Sequence, residues 1–478
     1  MSESLKPPAP LAEGRCAIAV VALNARYGHC AHAARSLVAN LKEMAPRAEI
    51  IEADTHVKPF QLAATLVALR PQLIGFSVYL WNVALVRETA QILRRVAPEV
   101  KIVLGGPEIT SGDRGHWSGI ADALVVGEGE SAFRKLCAEA LFGHWKAEGE
   151  FPRVLRGQPE SLEMLKLPTE YYSADDLAQR TVYVESSRGC PYGCTYCCSC
   201  RTPLRLFATE RLAESFDLLI ARGVREFRFL DRSFNADETH ACAVLELLLA
   251  RRPEHYRIHL EIMPRRFGPR LRELFCAFSP GTLHLEVGVQ TLNPEVARAV
   301  GRNGDTQTVL EALSFLIREA KALVHADLIF GLPGESESSF AAGFDRIVRE
   351  LDPPELQVNL LKRLPGTPLA APGAAPELVF SPNPPYELLR SDTLDFADLA
   401  RMQGFARCWE LLHNRGRFGD KVRSLCAREG GSPYGRIMQL SQRIRAGEGR
   451  LYALSASCLQ APLDASLLEP DEASPRPS

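Results

Sequence analysis

The strongest constraint on the fold of this chain is a regular alternation of short apolar runs with segments of helical periodicity. In the N-terminal part the apolar runs predict strands at 17–23, 48–52, 73–78, 101–104 and 123–126, and helical periodicity covers 31–41, 61–69, 85–96 and 131–141. Such alternation is typical of an α/β fold whose parallel sheet is covered by helices on both faces. We therefore predict a doubly wound parallel sheet over residues 14–145.

The alternation restarts near residue 181 and predicts a second α/β region. Strands are predicted at 183–186, 226–230, 259–262, 282–288, 325–330 and 355–360. Six β/α units over about 180 residues are too few for the usual eight-stranded barrel of about 250 residues. We predict a partial (β/α)6 barrel over residues 181–365.

The segments outside these two regions have weaker patterns. Residues 146–180 combine prolines with mixed polarity and are predicted to be a connector. Residues 366–478 are predicted to contain an Ala- and Pro-rich linker, a small mainly helical C-terminal domain and a disordered tail of about a dozen residues. The helical patterns of that domain cover 386–412 and 438–454.

Composition and charge exclude several classes of protein. Hydrophobic residues make up 46% and charged residues 24%, as in ordinary folded proteins. The net charge of −2 gives no global positive field, so we expect no nucleic-acid partner. No apolar run approaches the roughly 20 residues of a membrane span, and the first ten residues lack the pattern of a secretory signal. We expect a cytoplasmic protein.

The most specific motif is a group of three thiols, Cys190, Cys194 and Cys197, spaced C-x3-C-x2-C directly after a predicted strand. Crowded cysteines in a reducing compartment indicate metal rather than disulfides. Three thiolates on one compact loop can ligate three irons of a four-iron cubane and leave the fourth iron open to a ligand that is not protein.

Two other interpretations of the cysteine loop stay open at this point. Zinc would need a fourth ligand, which Cys198 or Cys200 could supply in principle. Alternatively, the cysteines could be buried apolar side chains, although a loop containing Gly189, Pro191 and Gly193 is unusually rich in turn residues for that.

The loop, with the aromatic Tyr196 before its third cysteine, resembles the signature of the radical S-adenosylmethionine (SAM) superfamily. The resemblance implies that the three cysteines bind a [4Fe-4S] cluster, whose open iron chelates the amino and carboxylate groups of SAM. Electron transfer from the cluster then yields a 5′-deoxyadenosyl radical in members that use this chemistry. Stretches 227–235, 286–293 and 327–335 resemble strand ends that bind SAM in the family. The implied SAM-binding residues are Tyr196, Asp231, Glu286, Gln290, Gly331 and Pro333.

The N-terminal region resembles the cobalamin-binding domain of one large subclass of this superfamily, whose chains carry a C-terminal extension of uncharacterised role. The resemblance rests on the ends of the predicted strands, at 24–29, 76–82, 104–108 and 126–130. Small residues there let the backbone approach a bulky corrin. The implied cobalamin-binding residues are Asn24, Ser77, Tyr79, Gly105, Gly106, Gly127 and Gly129.

Two motifs of this region bear on which cofactor binds there and how it is held. Residues 127–132 match the dinucleotide motif G-x-G-x-x-A, but they follow the last strand and contain two glutamates that would repel a pyrophosphate. The D-x-H-x-x-G motif that donates a histidine to cobalt is absent after the first strand, where Asn24 stands. His56, in a D-x-H sequence after the second strand, and His29 and His32 are weak candidates for this ligand. We expect cobalamin without a protein histidine.

The resemblance implies a radical SAM enzyme in which cluster, SAM and cobalamin meet between the two α/β domains and a methyl group is transferred to an unactivated carbon. No catalytic residue is assigned. The substrate is expected to be a small molecule or a peptide, and the electron donor an external protein such as flavodoxin or ferredoxin. Two alternatives stay open: a cobalamin-dependent radical rearrangement or cyclisation, and a non-catalytic cobalamin or iron-sulfur sensing module. Methylthio-transferring enzymes of the superfamily usually carry a second set of three cysteines in the N-terminal domain. That function is disfavoured here because the cysteines of this domain, Cys16, Cys30 and Cys137, are far apart in sequence.

Overall fold

A computed structural model of the protein describes residues 16–110, 114–146, 149, 151–251, 256–428, 430–450 and 454–468. The chain divides into two packed units. The first contains Met1–Val184 and Glu214–Val224, and the second contains Glu185–Ala213 and Arg225–Ser478. The predicted disordered tail lies outside the described residues.

The first unit is built on a parallel sheet of six strands, which confirms the predicted fold class. The strands are β1 (Ile18–Asn24), β2 (Ala48–Asp54), β3 (Leu73–Ser77), β4 (Lys101–Gly105), β5 (Ala123–Gly127) and β6 (Arg153–Gly157). Their order in the sheet is β2-β1-β3-β4-β5-β6. The helices between them are α1 (His32–Ala39), α2 (Pro59–Ala68), α3 (Val83–Val96) and α4 (Glu130–Leu141).

Strand β6 falls in the segment predicted to be a connector. It pairs in parallel with β5, with Val125 opposite Leu155. It lies at the edge of the sheet and is only partly buried, and its sequence Arg-Val-Leu-Arg-Gly carries two charged residues. A half-exposed edge strand of five residues lacks the continuous apolar run that identifies buried parallel strands, which is why the sequence pattern missed it.

The core of the first unit lies on both faces of the sheet. Along β1, Ala19, Val21 and Leu23 pack into one apolar cluster and Ile18 and Val20 into the other. Successive side chains of a strand point to opposite faces. In a strand buried on both faces, apolar residues therefore do not alternate with polar ones. The uninterrupted apolar run 17–23 is an example.

Within the first unit, a buried ion network connects helix α5 (Ala174–Gln179) and the residue after it to α1 and β2. The Arg35 guanidinium lies 2.6 Å from the carboxylates of both Glu52 and Asp176, and Arg180 lies 2.9 Å from Glu52 and 3.0 Å from Asp176. All four side chains are almost fully buried. Burial alone would raise the pKa of Asp176, but hydrogen bonds from the Ser173 N–H and from Arg35 hold it well below its ordinary value.

All six strands predicted for the second half are present, as β7 (Val182–Val184), β10 (Glu226–Phe229), β11 (Arg257–Ile262), β12 (Leu283–Gln290), β13 (Leu323–Phe330) and β14 (Glu355–Leu360). In the second unit β10 to β14 pair in parallel, each with its neighbour in sequence. Outside the predicted set, β8 (Ser187–Cys190) and β9 (Thr202–Leu206) form a hairpin. The helices of this region are α6 (Thr209–Ala221), α7 (Glu238–Ala250), α8 (Pro269–Ala277), α9 (Pro294–Ala299), α10 (Thr306–Ser314) and α11 (Glu337–Glu350).

The second parallel sheet has one apolar and one polar face. Along β12, Leu283, Leu285, Val287 and Val289 are buried, and the residues between them are only partly buried. Strands β11 and β13 alternate in the same way. The apolar face forms the core, and the other face presents charged and amide side chains in rows across the strands.

The C-terminal part is mainly helical, as predicted, with different boundaries. It contains β15 (Val379–Phe380), β16 (Leu388–Arg390), α12 (Phe396–Trp409), α13 (Gly419–Ala427), α14 (Pro433–Glu448) and α15 (Ala456–Leu468). The helix predicted from 386 begins only at Phe396, because Asp395 and Asp398 form a capping box and Leu388 pairs in a short hairpin. Among the described helices none is both long and apolar enough to cross a membrane.

Replacing Arg35 with Ala should strongly destabilise the first unit, because Glu52 and Asp176 would be left buried with too little positive charge. Breaking a buried ion pair on one side costs about 3–5 kcal/mol of unfolding free energy. Lys166→Ala is the matched control, since Lys166 forms an exposed pair with Glu170 and should change the free energy by under about 1 kcal/mol. Chemical denaturation monitored by circular dichroism measures both. Equal effects of the two substitutions would contradict a structural role for the network.

Candidate functional site

The cysteine loop is presented by the hairpin of β8 and β9. Gly189 has a φ of +96°, and a Cβ atom there would lie 2.1 Å from the Pro203 carbonyl oxygen. Only glycine fits this position without moving the backbone. The Cys190 N–H donates to Thr202 Oγ1 over 2.8 Å, which fixes the start of the loop to its return strand.

The loop between the strands folds into consecutive tight turns. The Cys197 N–H donates to the Cys194 carbonyl over 3.1 Å, and the Cys200 N–H donates to the Cys197 carbonyl over 3.2 Å. The loop also rests on the residues that follow α9, because the Thr195 N–H donates to the Val300 carbonyl over 3.1 Å. The spacing of the three thiols is therefore set by backbone hydrogen bonds within the loop and to a neighbouring element.

The cysteines of the motif form no disulfide and are unequally exposed. Cys190 and Cys194 are buried, Cys197 is partly buried and Cys198 is exposed. No three His, Cys, Asp or Glu side chains of the described residues converge closely enough to chelate one metal ion. The geometry thus gives no support to the zinc alternative. A cubane does not require such convergence, because each cysteine binds a different iron.

Arginines bring positive charge to the thiols. The Arg302 guanidinium lies 3.5 Å from Cys194 Sγ and also donates to the Gly288 carbonyl. Burial raises the pKa of the Cys190 and Cys197 thiols, and Arg232 opposes that increase in both. Thiolate ligation needs the deprotonated form, so these cations suit the chemistry of the loop. Sequence reasoning assigned neither arginine, since only the fold brings residue 302 to residue 194.

Asp231 lies behind the cysteine loop. Its side chain is 1% exposed and accepts hydrogen bonds from the Ser186 N–H (2.9 Å), the Ser186 hydroxyl (2.5 Å) and the Ser187 hydroxyl (2.6 Å). Burial raises its pKa although these donors oppose the increase. The carboxyl group thus holds the residues that enter the hairpin, and direct contact with SAM stays a prediction for this residue.

Glu286 lies in a row of titratable groups on the polar face of the sheet. It accepts from His259 Nε2 over 3.1 Å and from Arg228 over 3.4 Å, and the His259 hydrogen bond is the main cause of its lowered pKa. Glu261 is opposite Glu286 in the register. Burial, with the Glu286 charge, raises the pKa of Glu261 to about 7. Sequence reasoning missed Glu261, although its position near the carboxyl end of β11 was the available signal.

Gln290 ends β12 in a strained conformation. Its φ is +69°, and the pairing with β13 shifts register between Gly288 and Gln290. The side-chain Oε1 atom is buried and has no hydrogen-bond partner among the described residues. The hydroxyl of Tyr196 is likewise buried, next to Cys194 and Arg302. An unsatisfied buried amide oxygen at this strand end fits a ligand that carries donor groups, such as the ribose of SAM.

The loop after β13, in the stretch 327–335 predicted to bind SAM, contains Gly331 and Pro333. Gly331 has a φ of +83°, and a Cβ atom there would lie 2.5 Å from the Leu388 side chain. Glu335, two residues after Pro333, is 2% exposed and accepts from Thr291 Oγ1 over 2.6 Å. The loop is thus connected both to the end of β12 and to the C-terminal part of the chain.

The predicted cobalamin-binding residues lie at one edge of the first sheet. Asn24, Ser77, Gly105 and Gly127 are the last residues of β1, β3, β4 and β5, and the carboxyl ends of parallel strands share one edge. A Cβ atom on Gly106 would lie 2.5 Å from the Val78 carbonyl oxygen, so the turn after β4 packs directly on the loop after β3. Gly106 is needed for this close backbone packing, and contact of this edge with a corrin stays a prediction.

An aromatic pair stands on the same edge. The rings of Tyr79 and Trp81 stack with centroids 4.5 Å apart, and Trp81 remains 50% exposed. Trp81 Nε1 donates to the Leu23 carbonyl over 2.9 Å, and Asn82 donates to the same oxygen over 3.0 Å. Sequence reasoning did not select Trp81. Its exposed ring beside small residues fits the apolar surface of a corrin.

The histidines near this edge have other contacts. His29 Nδ1 lies 2.7 Å from the Tyr183 hydroxyl, and His32 Nδ1 lies 3.1 Å from the Tyr183 carbonyl. His56 is exposed in a turn in which its N–H donates to Asp54. The rings of His29 and His32 are thus engaged with Tyr183, and cobalamin held without a protein histidine stays a prediction.

The G-x-G-x-x-A segment does not provide an open phosphate site. Gly129 is the N-cap of α4, but the Glu130 side chain at the first position of the helix is buried and accepts from Ser36 Oγ over 2.9 Å. A buried carboxylate at a helix N-terminus opposes an incoming phosphate. The dinucleotide alternative is not supported by this geometry.

Two family models match the chain. Residues 18–137 match the B12 binding domain and residues 184–347 match the Radical SAM superfamily. Among curated proteins, the chain is 26% identical over 332 residues to the 2-(S-pantetheinyl)-carbapenam-3-carboxylate methyltransferase of Streptantibioticus cattleyicolor, with 63% of this chain and 48% of that protein covered. It is 24% identical over 335 residues to the cobalamin-dependent radical SAM methyltransferase TokK of Streptomyces tokunonensis, with 64% and 49% covered. The chain spans about half the length of these relatives.

Solved structures with the same fold cover more of the chain. The radical SAM methyltransferase TsrM from Kitasatospora setae, with cobalamin and a [4Fe-4S] cluster bound, aligns with a TM-score of 0.61 at 17% identity, over 80% of this chain and 81% of that one. The cobalamin-dependent radical enzyme OxsB, with aqua-cobalamin and SAM bound, aligns with a TM-score of 0.65 at 12% identity, over 95% and 78%. At these identities the likeness concerns the fold.

Replacing Glu335 with Gln should stabilise the protein at high pH but not at low pH. Burial raises the pKa of Glu335 from 4.5 to about 7, so the folded state binds the proton more tightly than the unfolded state. Stability from this group is therefore complete below pH 4.5 and is lost as the pH rises to about 7. The shift corresponds to about 3 kcal/mol. The neutral amide of glutamine still offers Thr291 a hydrogen-bond acceptor. It does not ionise, so the variant avoids the free-energy cost of burying a charge at high pH.

Melting temperatures of wild type and Glu335→Gln measured at pH 5 and pH 8 test this expectation. The two proteins should be close at pH 5, and the variant should melt several degrees higher at pH 8. A difference that is the same at both pH values would contradict it.

Proposed function

Because the chain belongs to the radical SAM superfamily, in the branch that carries an N-terminal B12 binding domain, we propose that it is a cobalamin-dependent radical SAM methyltransferase. Its cofactors are a [4Fe-4S] cluster, SAM and cobalamin. The proposed reaction transfers a methyl group from SAM to an unactivated carbon of a small-molecule or peptide substrate.

The observation that carries this proposal is the loop of Cys190, Cys194 and Cys197. The short hairpin of β8 and β9 carries all three free thiols, two of which are buried, and the Arg302 guanidinium lies 3.5 Å from Cys194 Sγ. The chain that carries this loop also contains a complete parallel sheet whose carboxyl edge is lined by small residues. Both relatives described above are named as methyltransferases, which supports the same activity.

When bound, the cluster and cobalamin supply the electron transfer and the methyl carrier, and the protein supplies binding and orientation. Cys190, Cys194 and Cys197 would hold the cluster through their thiolates. We assign Gln290 and Tyr196 to the polar part of SAM, because both side chains end in buried polar atoms. Gly331 and Pro333 form the turn assigned to the adenine side, and Glu286 belongs to the polar surface of the sheet that faces the ligands.

For cobalamin we propose the carboxyl edge of the first sheet. Asn24 contributes an amide whose Nδ2 donates to the His29 carbonyl over 2.8 Å, which fixes its orientation. The remaining assigned positions are Ser77, Tyr79, Gly105, Gly106, Gly127 and Gly129.

The reaction also needs a reductant and a substrate. We propose that the reductant is a small external electron-transfer protein such as flavodoxin or ferredoxin, and that the enzyme works in the cytoplasm. The net charge of −2 gives no reason to expect a nucleic-acid substrate.

Replacing Cys194 with Ser should abolish SAM cleavage, because the cluster would lose one of its three protein ligands. The measurement is 5′-deoxyadenosine formed from SAM and dithionite by anaerobically reconstituted protein, together with iron and sulfide content. Cys198→Ser is the matched control, since Cys198 lies outside the motif, is exposed and should retain wild-type turnover. Undiminished 5′-deoxyadenosine from Cys194→Ser would refute the cluster assignment.

Loading with cobalamin should determine the reaction of the methyl group. We expect about four irons and about one cobalt per chain after reconstitution with added hydroxocobalamin. With SAM labelled in its methyl group and a reductant, the loaded protein should form S-adenosylhomocysteine and lose the label from SAM. Protein that holds the cluster without cobalt should form none. Formation of 5′-deoxyadenosine alone by the fully loaded protein would favour a radical rearrangement over methyl transfer.

A further inference from the structure

Gln290 is held in a conformation that the residue itself does not favour. A non-glycine residue with a φ of +69° is strained relative to ordinary strand backbone. The adjoining register shift turns the end of β12 away from its regular pairing with β13. Such a conformation persists only where neighbouring contacts fix it.

The contacts that fix it belong to Thr291, which is 6% exposed. Its N–H donates to the Val289 carbonyl over 2.9 Å, and its Oγ1 accepts from the Asn293 N–H over 3.0 Å. The same hydroxyl donates to Glu335 Oε1 over 2.6 Å. The residue next to Gln290 is thus held on both sides, and its hydroxyl joins the end of β12 to the loop after β13.

Glu335 is unusually buried for a group with so few partners. Thr291 is the hydrogen-bond partner of its carboxyl group, and its second oxygen, Oε2, has none among the described residues. The Glu335 carbonyl accepts from Thr393 Oγ1 over 2.7 Å, so the C-terminal part of the chain fixes the backbone of this residue. Burying a carboxyl group for one hydrogen bond costs stability, as its pKa of about 7 reflects. An apolar side chain would fill the same space at lower cost, but it would offer Thr291 no acceptor.

We propose that Thr291 and Glu335 are positioning residues that orient the Gln290 side chain for binding SAM. The inference rests on the proposed function, which assigns Gln290 to SAM. Neither residue touches the ligand in this arrangement. Thr291 acts on Gln290 through the adjoining peptide, and Glu335 acts through the Thr291 hydroxyl.

The test compares Thr291→Val with Thr291→Ser in the cluster-loaded full-length protein. Valine keeps the shape of threonine but removes the hydroxyl, and serine keeps the hydroxyl. The dissociation constant of labelled SAM, measured by anaerobic equilibrium dialysis, should rise about tenfold in Thr291→Val and stay within about twofold of wild type in Thr291→Ser. Glu335→Leu should resemble Thr291→Val, and Glu335→Gln, which keeps an acceptor, should resemble wild type.

Gln290→Ala and the double variant Gln290→Ala/Thr291→Val separate positioning from a general structural effect. If Thr291 acts through Gln290, the double variant should bind SAM no more weakly than Gln290→Ala alone. Additive losses in the double variant would overturn the inference, and so would unchanged SAM affinity in Thr291→Val. If Gln290→Ala itself binds SAM normally, the assignment of Gln290 in the proposed function is wrong. If a Thr291 variant does not fold, the comparison of Glu335→Leu with Glu335→Gln tests the inference instead.

Discussion

Parallel pairing of the backbone is the constraint on which the rest of this structure depends. Parallel strands require crossover connections, and their carboxyl ends all reach the same edge of the sheet. In the first unit this brings Asn24, Ser77, Gly105 and Gly127 to one edge, although up to 103 positions of sequence separate them. In the second unit the same rule brings the ends of β10, β12 and β13 to one edge, and these ends carry the predicted SAM residues Asp231, Gln290, Gly331 and Pro333.

In the second unit, carboxyl groups whose burial costs stability hold the candidate site in place. The Asp231 carboxyl group accepts hydrogen bonds from Ser186 and Ser187 at the start of the cysteine hairpin. The Glu335 carboxyl group accepts a hydrogen bond from the Thr291 hydroxyl, which follows the end of β12. In both cases burial raises the pKa of the acid, which means that the folded protein bears the cost of a carboxyl group in an apolar place. Apolar residues would serve stability better, so these acids make sense as parts of a site whose geometry must be exact to a fraction of an ångström.

Sequence reasoning succeeded where local pattern decides the structure and missed what depends on distant contacts. The run 17–23 identifies β1 because a strand buried on both faces is apolar throughout. Strand β6 escaped because an edge strand with one neighbour tolerates Arg153 and Arg156. The start of α12 was misplaced because Leu388 pairs with a strand that sequence periodicity does not identify. Arg302 was not selected because nothing near it in sequence reveals that it reaches Cys194.

The sequence by itself determined the class of fold, the cysteine motif and the order of the two domains, since each is encoded in residue spacing within a few tens of positions. Only the tertiary structure decided which polar groups meet. It placed Arg302 beside the Cys194 thiol and Glu335 within hydrogen-bond distance of Thr291. It also left the Gln290 amide oxygen without a hydrogen-bond partner among the described residues. The physical reason is that hydrogen bonds and charge interactions act over a few ångströms in space, whatever the distance along the chain.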